Sequence, residues 1–499
     1  MTTDARSRSI PSAIASLAGS TWLLLALALW LLATLSLRPL MLPDEGRYVG
    51  VAHAMLQGDA LTPRLHGLPY FHKPPLMYWI DAAAMAVFGA NQFAARLAPA
   101  LGAWLMGAAI FLDLRRRVGP REAAIALGVL ATCPFFFVGG QFANHDMLVA
   151  GLITAAIVLA VRGIEEGQRR AALGWVVAAW AAAALAVLAK GLIGVVLPAL
   201  VLAPWLALQR RWTGFARMLH PLALLVFAAI AMPWFAAMAG RFPGFLDYFF
   251  LEQHVRRYAQ GGFNNAQPFW FFVPAVLLLM LPWSPWLLAW VRRRSAAPGA
   301  PLALYAWWAV AVLGFFSLPQ SKLVGYALPA LGPLAALAGL AVAPGRAWRW
   351  LMPAAAVACV ATVVALAWRD GGSHRELALK LRGLLQPGER AVLVGGPYFD
   401  LPFYARLADA PIVLADWDDP AIAVRDDWRK ELRDAARFEP GTGARVLLRP
   451  QDLAASRCAL QASWFVAPAE WVPPEAAGPM ERVAADRHTV LWRATAACP

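Results

Sequence analysis

The loop at residues 42–79 concentrates the side chains of this sequence that could do chemistry. It reads LPDEGRYVGVAHAMLQGDALTPRLHGLPYFHKPPLMYW and directly follows the first long apolar run. Asp44 and Glu45 form a pair of carboxylates, and Arg47 and Lys73 bring positive charge into the same loop. Carboxylates can accept a proton or stabilise developing positive charge, and cations can bind phosphate. Carboxylates beside cations at a membrane surface therefore predict a site for a charged, phosphorylated lipid.

Lys73 begins a Lys-Pro-Pro turn within this loop. Two consecutive prolines fix the backbone, so the turn can hold the lysine beside the membrane as a point-charge ligand for phosphate. The acidic pair also has a simpler interpretation. Asp44 and Glu45 could mark the start of a helix, since aspartate is a favourable helix cap.

More charged residues fall in other segments that we predict on the same side of the membrane. Asp146, in the sequence QFANHDM, is either a site residue or a helix cap. A lysine at a helix end often does no more than extend its ammonium group to the membrane interface. Lys73, Lys190 and Lys322 all fall on the side where positive charge is disfavoured, and this favours an anionic partner for them. The candidate catalytic acids are Asp44, Glu45 and Asp146, and the candidate phosphate ligands are Arg47, Lys73, Lys190, Arg257 and Lys322.

The composition predicts a polytopic membrane protein. The chain has 499 residues, of which 60% are hydrophobic, and its mean hydropathy is +0.55. Apolar runs of about 20 residues, the length that crosses a bilayer, recur through the first three quarters of the chain. We predict eleven spans, or up to thirteen, the first of them a retained signal anchor. The predicted spans are 20–38, 94–113, 121–138, 147–163, 171–189, 191–209, 219–238, 269–290, 302–317, 323–343 and 350–368.

The distribution of charge sets the predicted topology. The formal net charge of +14 does not indicate a nucleic-acid partner, because the arginines form short clusters between spans, such as 115–117 and 292–294. Clusters of this kind are typical of cytoplasmic loops. This places the loops 39–93 and 239–268 on the outer side, together with the candidate site. The sequence has no Walker motif and no dinucleotide fingerprint, which argues against a nucleotide-driven pump.

The organisation along the chain changes near residue 369. We predict a membrane domain at 1–368 and a small α/β domain at 369–499, with strands at 392–396 and 445–450 and a helix at 426–438. A short helix at 75–89 is predicted to lie in the interface. Cys133 and Cys359 fall inside predicted spans, and a disulfide between Cys458 and Cys498 is left open.

Motifs across residues 40–335 resemble the lipid A aminoarabinose transferases. They are PDEGRY, GDALTPRL, YFHKPPLMYW, FAARLAPAL, NHDM, LAKGLIGVVLPALV, FFLEQHVRRY and SLPQSKLVGYALP, in this order. These transferases are GT-C glycosyltransferases of the protein O-mannosyltransferase-like superfamily. The resemblance implies a GT-C fold and transfer from an undecaprenyl-phosphate-linked sugar at the periplasmic face of a bacterial inner membrane. It also implies that Asp44 is the leading catalytic carboxylate, Lys73 a phosphate ligand and Asp146 a second acid, with His254 nearby.

One position departs from the aminoarabinose branch, whose members often carry glutamate before the Lys-Pro-Pro lysine. This chain has His72 there. The chemistry requires no cofactor, but His72 and His254 could together bind a divalent metal such as zinc. Two ligands alone would make a weak metal site.

The function that these features favour is inverting transfer of 4-amino-4-deoxy-L-arabinose from undecaprenyl phosphate to a lipid A phosphate. The nearest alternative is the same chemistry with another sugar, onto lipopolysaccharide core, another glycan or a protein. A lipid-linked-sugar transporter is disfavoured because charge is scarce within the spans. A non-catalytic lipid-binding scaffold would tolerate Asp44→Asn, whereas an enzyme would not.

Overall fold

The protein is described by a computed structural model at residues 10–256, 265–292, 300–369 and 372–495. Its first three quarters are helical, as the apolar runs predict. The helices of this part, apart from those of the large loops, are Ile10–Leu32, Leu97–Arg117, Pro120–Ala131, Pro134–Gly139, His145–Glu165, Arg169–Lys190, Ile193–Leu208, Trp212–Met218, Pro221–Arg241, Phe272–Leu279, Ser284–Arg292, Ala300–Ser317, Leu328–Val342 and Trp348–Trp368.

Each of the eleven predicted spans overlaps at least one helix. In the described part of the chain, six helices are long and apolar enough to cross a bilayer. The segment 269–290 is a helix pair bent by 120°. The segment 121–138 is broken at Cys133, because Pro134 begins a new helix and lacks the backbone N–H that would continue the old one. The polytopic helical fold is thereby confirmed, while the number of spans stays a prediction.

Helix His145–Glu165 packs against both Leu97–Arg117 and Arg169–Lys190. Glycines allow this helix to approach helix Leu97–Arg117 unusually closely. A Cβ atom added to Gly151 would lie 2.0 Å from the carbonyl oxygen of Gly102. Small residues at helix crossings let two backbones touch. This packing fixes the helix whose first turn contains Asp146.

The first large loop is folded. It contains helix Asp44–Gln57, the antiparallel two-residue strands Arg64–Leu65 and Leu68–Pro69, and helix Leu76–Phe88. The last of these corresponds to the helix predicted at 75–89. The second large loop contains a π-helix, Asp247–Arg256.

The C-terminal domain has the predicted α/β architecture. Its described residues form one six-stranded sheet, in which four strands are parallel and the last two pair antiparallel. The order across the sheet is Leu447–Leu448, Ile412–Leu414, Ala391–Val394, Trp464–Pro468, Thr489–Ala494 and Met480–Ala485. The helices of this domain include Arg375–Leu384, Leu401–Ala405, Trp428–Ala436, Pro440–Val446 and Leu453–Ser456.

The detailed predictions for this domain have mixed outcomes. The strand predicted at 392–396 is the buried strand Ala391–Val394, and the helix predicted at 426–438 is Trp428–Ala436. The strand predicted at 445–450 is present but limited to the half-buried pair Leu447–Leu448, because Pro440 starts a helix that runs to Val446. The domain boundary near residue 369 stays a prediction. Of the cysteines, Cys133 and Cys359 are buried free thiols and Cys458 is disulfide-bonded, while Cys498 lies outside the described residues.

The C-terminal domain packs on the first large loop. The Tyr404 hydroxyl accepts a hydrogen bond of 2.8 Å from the backbone N–H of Leu40. A Cβ atom added to Gly46 would lie 2.9 Å from the backbone nitrogen of Asp400. The first helix of the loop therefore lies between the membrane helices and the C-terminal domain.

Candidate active site

A cleft of about 210 Å³ brings most of the predicted site residues together. Its walls come from the first loop, from the ends of several membrane helices and from the C-terminal domain. The six predicted site residues that line it are Asp44, Arg47, His72, Lys73, Asp146 and Lys190.

Helix Asp44–Gln57 presents Asp44, Arg47 and Tyr48 to the cleft. Residues three and four positions apart lie on one helix face, so the spacing explains their common direction. The helix begins at Asp44, as the simpler interpretation of the acidic pair predicts, but the N-cap residue is Pro43, which makes no side-chain cap hydrogen bond. The Asp44 carboxylate pairs with the Arg47 guanidinium.

Arg47 also bonds to a second carboxylate, that of Glu431 from the C-terminal domain. Burial disfavours the charge on Arg47, while the neighbouring Tyr70 and Glu431 favour it and hold the pKa of Arg47 well above its ordinary value. Its guanidinium carbon lies 5.1 Å from the ring centre of Tyr48. Arg47 is thus a permanent cation held between two acids.

The second acid and a lysine meet at the ends of two neighbouring helices. Asp146 forms an ion pair with Lys190, the last residue of helix Arg169–Lys190. The ammonium nitrogen of Lys190 lies 5.1 Å from the ring centre of Tyr326. Asn144 is the helix cap, because its side-chain oxygen accepts a hydrogen bond of 2.9 Å from the backbone N–H of Asp146. The interpretation of Asp146 as the cap is therefore wrong.

The Lys-Pro-Pro turn places Lys73 in the same cleft, just before helix Leu76–Phe88. His72 beside it stacks on Tyr70, with 4.7 Å between ring centres. His145 lines the cleft as well, with its ring edge-on to those of Tyr48 and Tyr78. Lys73 therefore enters the cleft from a rigid turn with an aromatic surround.

Glu45 is placed away from the cleft, although it is the neighbour of Asp44. It is fully buried and lies between Arg38 and Arg96. Its carboxylate also accepts backbone hydrogen bonds from Met41 and Ala143, each at 2.8 Å. This position gives no support to the predicted catalytic role and assigns Glu45 to the internal support of the loop.

The charge state of Glu45 follows from its arginine neighbours. Burial alone would raise its pKa, but the charges of Arg96 and Arg38 hold the pKa at about 2. Arg96 is fully buried and also donates to the carbonyl oxygen of Leu35 at 2.7 Å. The cluster ties the end of the first membrane helix to the start of the loop helix.

Lys322 is likewise turned away. Its side chain is buried and donates to the carbonyl oxygens of Gln267, at 2.8 Å, and Pro319. The neighbouring Ser321 and Leu323 line the cleft, so Lys322 shapes this wall from behind. Of the remaining predicted site residues, Arg257 and the side chain of His254 lie outside the described residues.

The described residues contain no group of three or more histidine, cysteine, aspartate or glutamate side chains that could hold a metal ion. His72, one of the two predicted ligands, has its Nδ1 atom 3.9 Å from a carboxylate oxygen of Glu431. The described donors therefore do not make a zinc site. The metal stays a prediction.

Glu431 is a charged cleft residue that the sequence does not identify as part of the site. It lies on helix Trp428–Ala436, which was predicted as a helix of the C-terminal domain without any link to the site. The first-loop motif could not reveal it, because 384 residues separate it from Arg47 along the chain. The sequence contains one indication of a second acid, because the Arg47 guanidinium has more N–H donors than a single neighbouring carboxylate can accept.

Comparisons with known proteins agree with this arrangement. A family model described as dolichyl-phosphate-mannose-protein mannosyltransferase matches residues 72–236. An undecaprenyl phosphate-alpha-4-amino-4-deoxy-L-arabinose arabinosyl transferase of Pseudomonas aeruginosa is 36% identical over 336 residues, covering 64% of this chain and 59% of that protein. A transferase with the same name from Edwardsiella ictaluri is 32% identical over 323 residues, covering 63% of this chain and 58% of that protein. The chain thus aligns with about three fifths of the length of these relatives.

Similarity to a solved structure extends over nearly the whole chain. The crystal structure of ArnT from Cupriavidus metallidurans bound to undecaprenyl phosphate has a TM-score of 0.82, with 26% identity, and the match covers 95% of this chain and 98% of that one. The apo form of the same protein has a TM-score of 0.80. The resemblance inferred from the motifs is thereby confirmed, and the fold is of the GT-C type.

Proposed function

We propose that this protein is an inverting glycosyltransferase that moves 4-amino-4-deoxy-L-arabinose from undecaprenyl phosphate to a lipid A phosphate at the periplasmic face. The observation that carries the proposal is the cleft itself. It joins Asp44, Lys73 and the Asp146–Lys190 pair. It does so within a fold shared with a transferase that was crystallised with undecaprenyl phosphate.

The charge of the cleft supports an aminosugar donor. Its described lining contains three carboxylates, Asp44, Asp146 and Glu431, and three cations, Arg47, Lys73 and Lys190. A balanced lining matches a donor that carries both an anionic phosphodiester and a cationic ammonium group, because each charge then meets its opposite. A neutral sugar would use only the cationic half of this lining.

The reaction that we propose is a direct displacement at the anomeric carbon. An oxygen of the acceptor phosphate forms a bond to that carbon, and the bond to the donor phosphate oxygen breaks, its electron pair leaving with undecaprenyl phosphate. One displacement inverts the configuration. Lys73 and Lys190 stabilise the charge that builds up on the departing phosphate. Because the acceptor is already anionic, Asp44 acts by positioning and by stabilising the oxocarbenium-like carbon, and no strong base is needed.

The periplasmic assignment rests on the distribution of arginines along one helix. Helix His145–Glu165 begins at the cleft, and Glu165 at its other end bonds to Arg116 at 2.6 Å and to Arg117 at 3.0 Å. Arginine clusters of this kind mark the cytoplasmic side. The cleft at the opposite end then opens toward the periplasm, where a donor that cannot leave the bilayer meets its acceptor.

The experiment is mass spectrometry of lipid A from a strain without aminoarabinose transfer, complemented with wild type, Asp44→Asn or Asp59→Asn. Asp59 is an exposed carboxylate of the same loop and does not line the cleft, which makes it a matched control. We expect the aminoarabinose mass with wild type and Asp59→Asn only, at equal protein levels in the membrane. Unmodified lipid A with wild type would refute this donor and acceptor, and modification by Asp44→Asn would remove Asp44 from the mechanism.

A further inference from the structure

The C-terminal domain inserts one side chain into the cleft. Glu431, on helix Trp428–Ala436, has a side chain that is only 12% exposed. One of its oxygens bonds to Arg47, and the other is buried without a hydrogen-bond partner among the described residues. A buried carboxylate is costly unless it is paired. The ion pair with Arg47 is therefore the contact that offsets the cost of burying the Glu431 carboxylate.

The guanidinium of Arg47 is divided between two domains. One terminal nitrogen bonds to Asp44 in the loop helix and the other bonds to Glu431. The Nε atom is buried and has no hydrogen-bond partner within the described part of the chain. Arginine and carboxylate otherwise favour a two-pronged pair, in which both nitrogens bind one acid. Here each acid binds one terminal nitrogen, and Arg47 forms that two-pronged pair with neither of them.

Docking of the C-terminal domain does not depend on this contact alone. Arg64 of the first loop pairs with Glu439 through bonds of 3.0 and 2.6 Å. The ring of Phe438 lies 4.9 Å from that of Phe71. These contacts hold the helix in place from positions that do not line the cleft. They also provide an interdomain ion pair with which the Glu431 contact can be compared.

We propose that Glu431 is a positioning residue of the active site, which holds Arg47 so that Asp44 keeps its charge available to the reacting sugar. This inference rests on the proposed function. Without Glu431, Arg47 turns both nitrogens toward Asp44 and neutralises the carboxylate that should face the developing positive charge. The C-terminal domain then completes the site and does not merely cover it.

The test is a set of purified variants assayed for transfer: Glu431→Gln, Arg47→Gln, the double variant, and Glu439→Gln as the matched control. We expect Glu431→Gln to lower kcat by about 10- to 100-fold, as small displacements of catalytic groups do, with KM within about twofold of wild type. Glu431→Asp, which keeps the charge, should recover part of the loss. Glu439→Gln should transfer at the wild-type rate, because it breaks an interdomain pair away from the cleft.

A double-mutant cycle separates positioning from a direct role. If Glu431 acts through Arg47, adding Glu431→Gln to Arg47→Gln changes the rate by less than about twofold. If the losses of the two single variants multiply in the double variant, the inference is overturned. A loss in Glu439→Gln equal to that in Glu431→Gln, or a wild-type rate in Glu431→Gln, would also overturn it.

Thermal unfolding of the same four variants provides a readout that needs no donor. The shifts in Tm for positions 47 and 431 should be non-additive, and additive shifts would overturn the inference. If wild type transfers no aminoarabinose, the proposed function fails. The link between Glu431 and Arg47 is then judged only on whether the Tm shifts at the two positions are non-additive.

Discussion

Glu45→Gln should unfold the protein more easily, whereas Asp44→Asn should leave folding intact and abolish transfer. The two carboxylates are adjacent in sequence, but Glu45 is fully buried between two arginines and the Asp44 side chain is 41% exposed in the cleft. Glutamine has nearly the shape of glutamate without its charge. The substitution therefore leaves Arg38 and Arg96 buried without their counter-charge.

Two independent estimates give the size of the effect. The pKa of Glu45 is held at about 2, below its ordinary value of 4.5. This difference corresponds to about 3 kcal/mol of stability at neutral pH. Removing one partner from a buried ion pair costs about 3–5 kcal/mol in other proteins. We therefore expect Glu45→Gln to lower the free energy of unfolding by about 3 kcal/mol.

The dependence on pH has a defined sign. Since the pKa of Glu45 is lower in the folded than in the unfolded protein, its contribution is complete above pH 4.5 and is lost as the pH falls toward 2. The difference in stability between wild type and Glu45→Gln should be constant near neutral pH and should shrink in acid. A stability difference that stays constant or grows in acid would contradict the placement of Glu45 between the two arginines.

The assay is denaturant or thermal unfolding of purified protein in detergent, together with the transfer rate per folded molecule. Asp44→Asn should change the free energy of unfolding by less than about 0.5 kcal/mol, as exposed substitutions usually do, while its transfer is lost. A Glu45→Gln protein as stable as wild type but inactive would refute the reasoning, because Glu45 would then act in the reaction itself.

Two further substitutions test the cationic half of the cleft and the placement of the second acid. Lys73→Ala should lower transfer by about 100-fold with an unchanged Tm, since it removes a charge directed at the leaving phosphate, and Lys73→Arg should keep part of the rate. Steady-state kinetics with purified donor measure this, and a wild-type rate in Lys73→Ala would exclude the phosphate role. Gly325→Ala puts a Cβ atom 2.4 Å from a carboxylate oxygen of Asp146 and should lower kcat at least about tenfold by displacing that group from Lys190. An unchanged kcat in a folded Gly325→Ala protein would show that the position of Asp146 does not matter.

Much of the fold was predictable because its signals are local. Apolar runs of bilayer length, arginine clusters and a change in composition near residue 369 predict a helical membrane portion followed by an α/β domain, and the structure has both. The break at Cys133 was not predicted, since hydropathy does not register a single proline at position 134 inside an apolar run. The strand predicted at 445–450 is shorter than predicted for a related reason, because the helix that Pro440 starts runs to Val446.

The site was predictable to the extent that its residues lie in the membrane portion. The motifs identified Asp44, Lys73 and Asp146, and all three line one cleft. Two predicted site residues lie outside this cleft for a common reason. Glu45 and Lys322 were assigned from charge and sidedness, but both side chains turn into the protein and bind arginines or backbone carbonyls. Charge alone does not reveal the direction of a side chain.

The periodicity of the loop helix explains why neighbouring acids diverge. Successive residues of a helix point about 100° apart, whereas residues three and four positions apart lie on one face, so Asp44 and Glu45 point in different directions. Asp44, Arg47 and Tyr48 share the cleft face, and Glu45 turns toward the membrane helices. A loss of transfer after substitution in this helix therefore has two physical origins, a damaged cleft or a loosened loop. Only a comparison of transfer with stability, residue by residue, identifies which groups take part in the reaction.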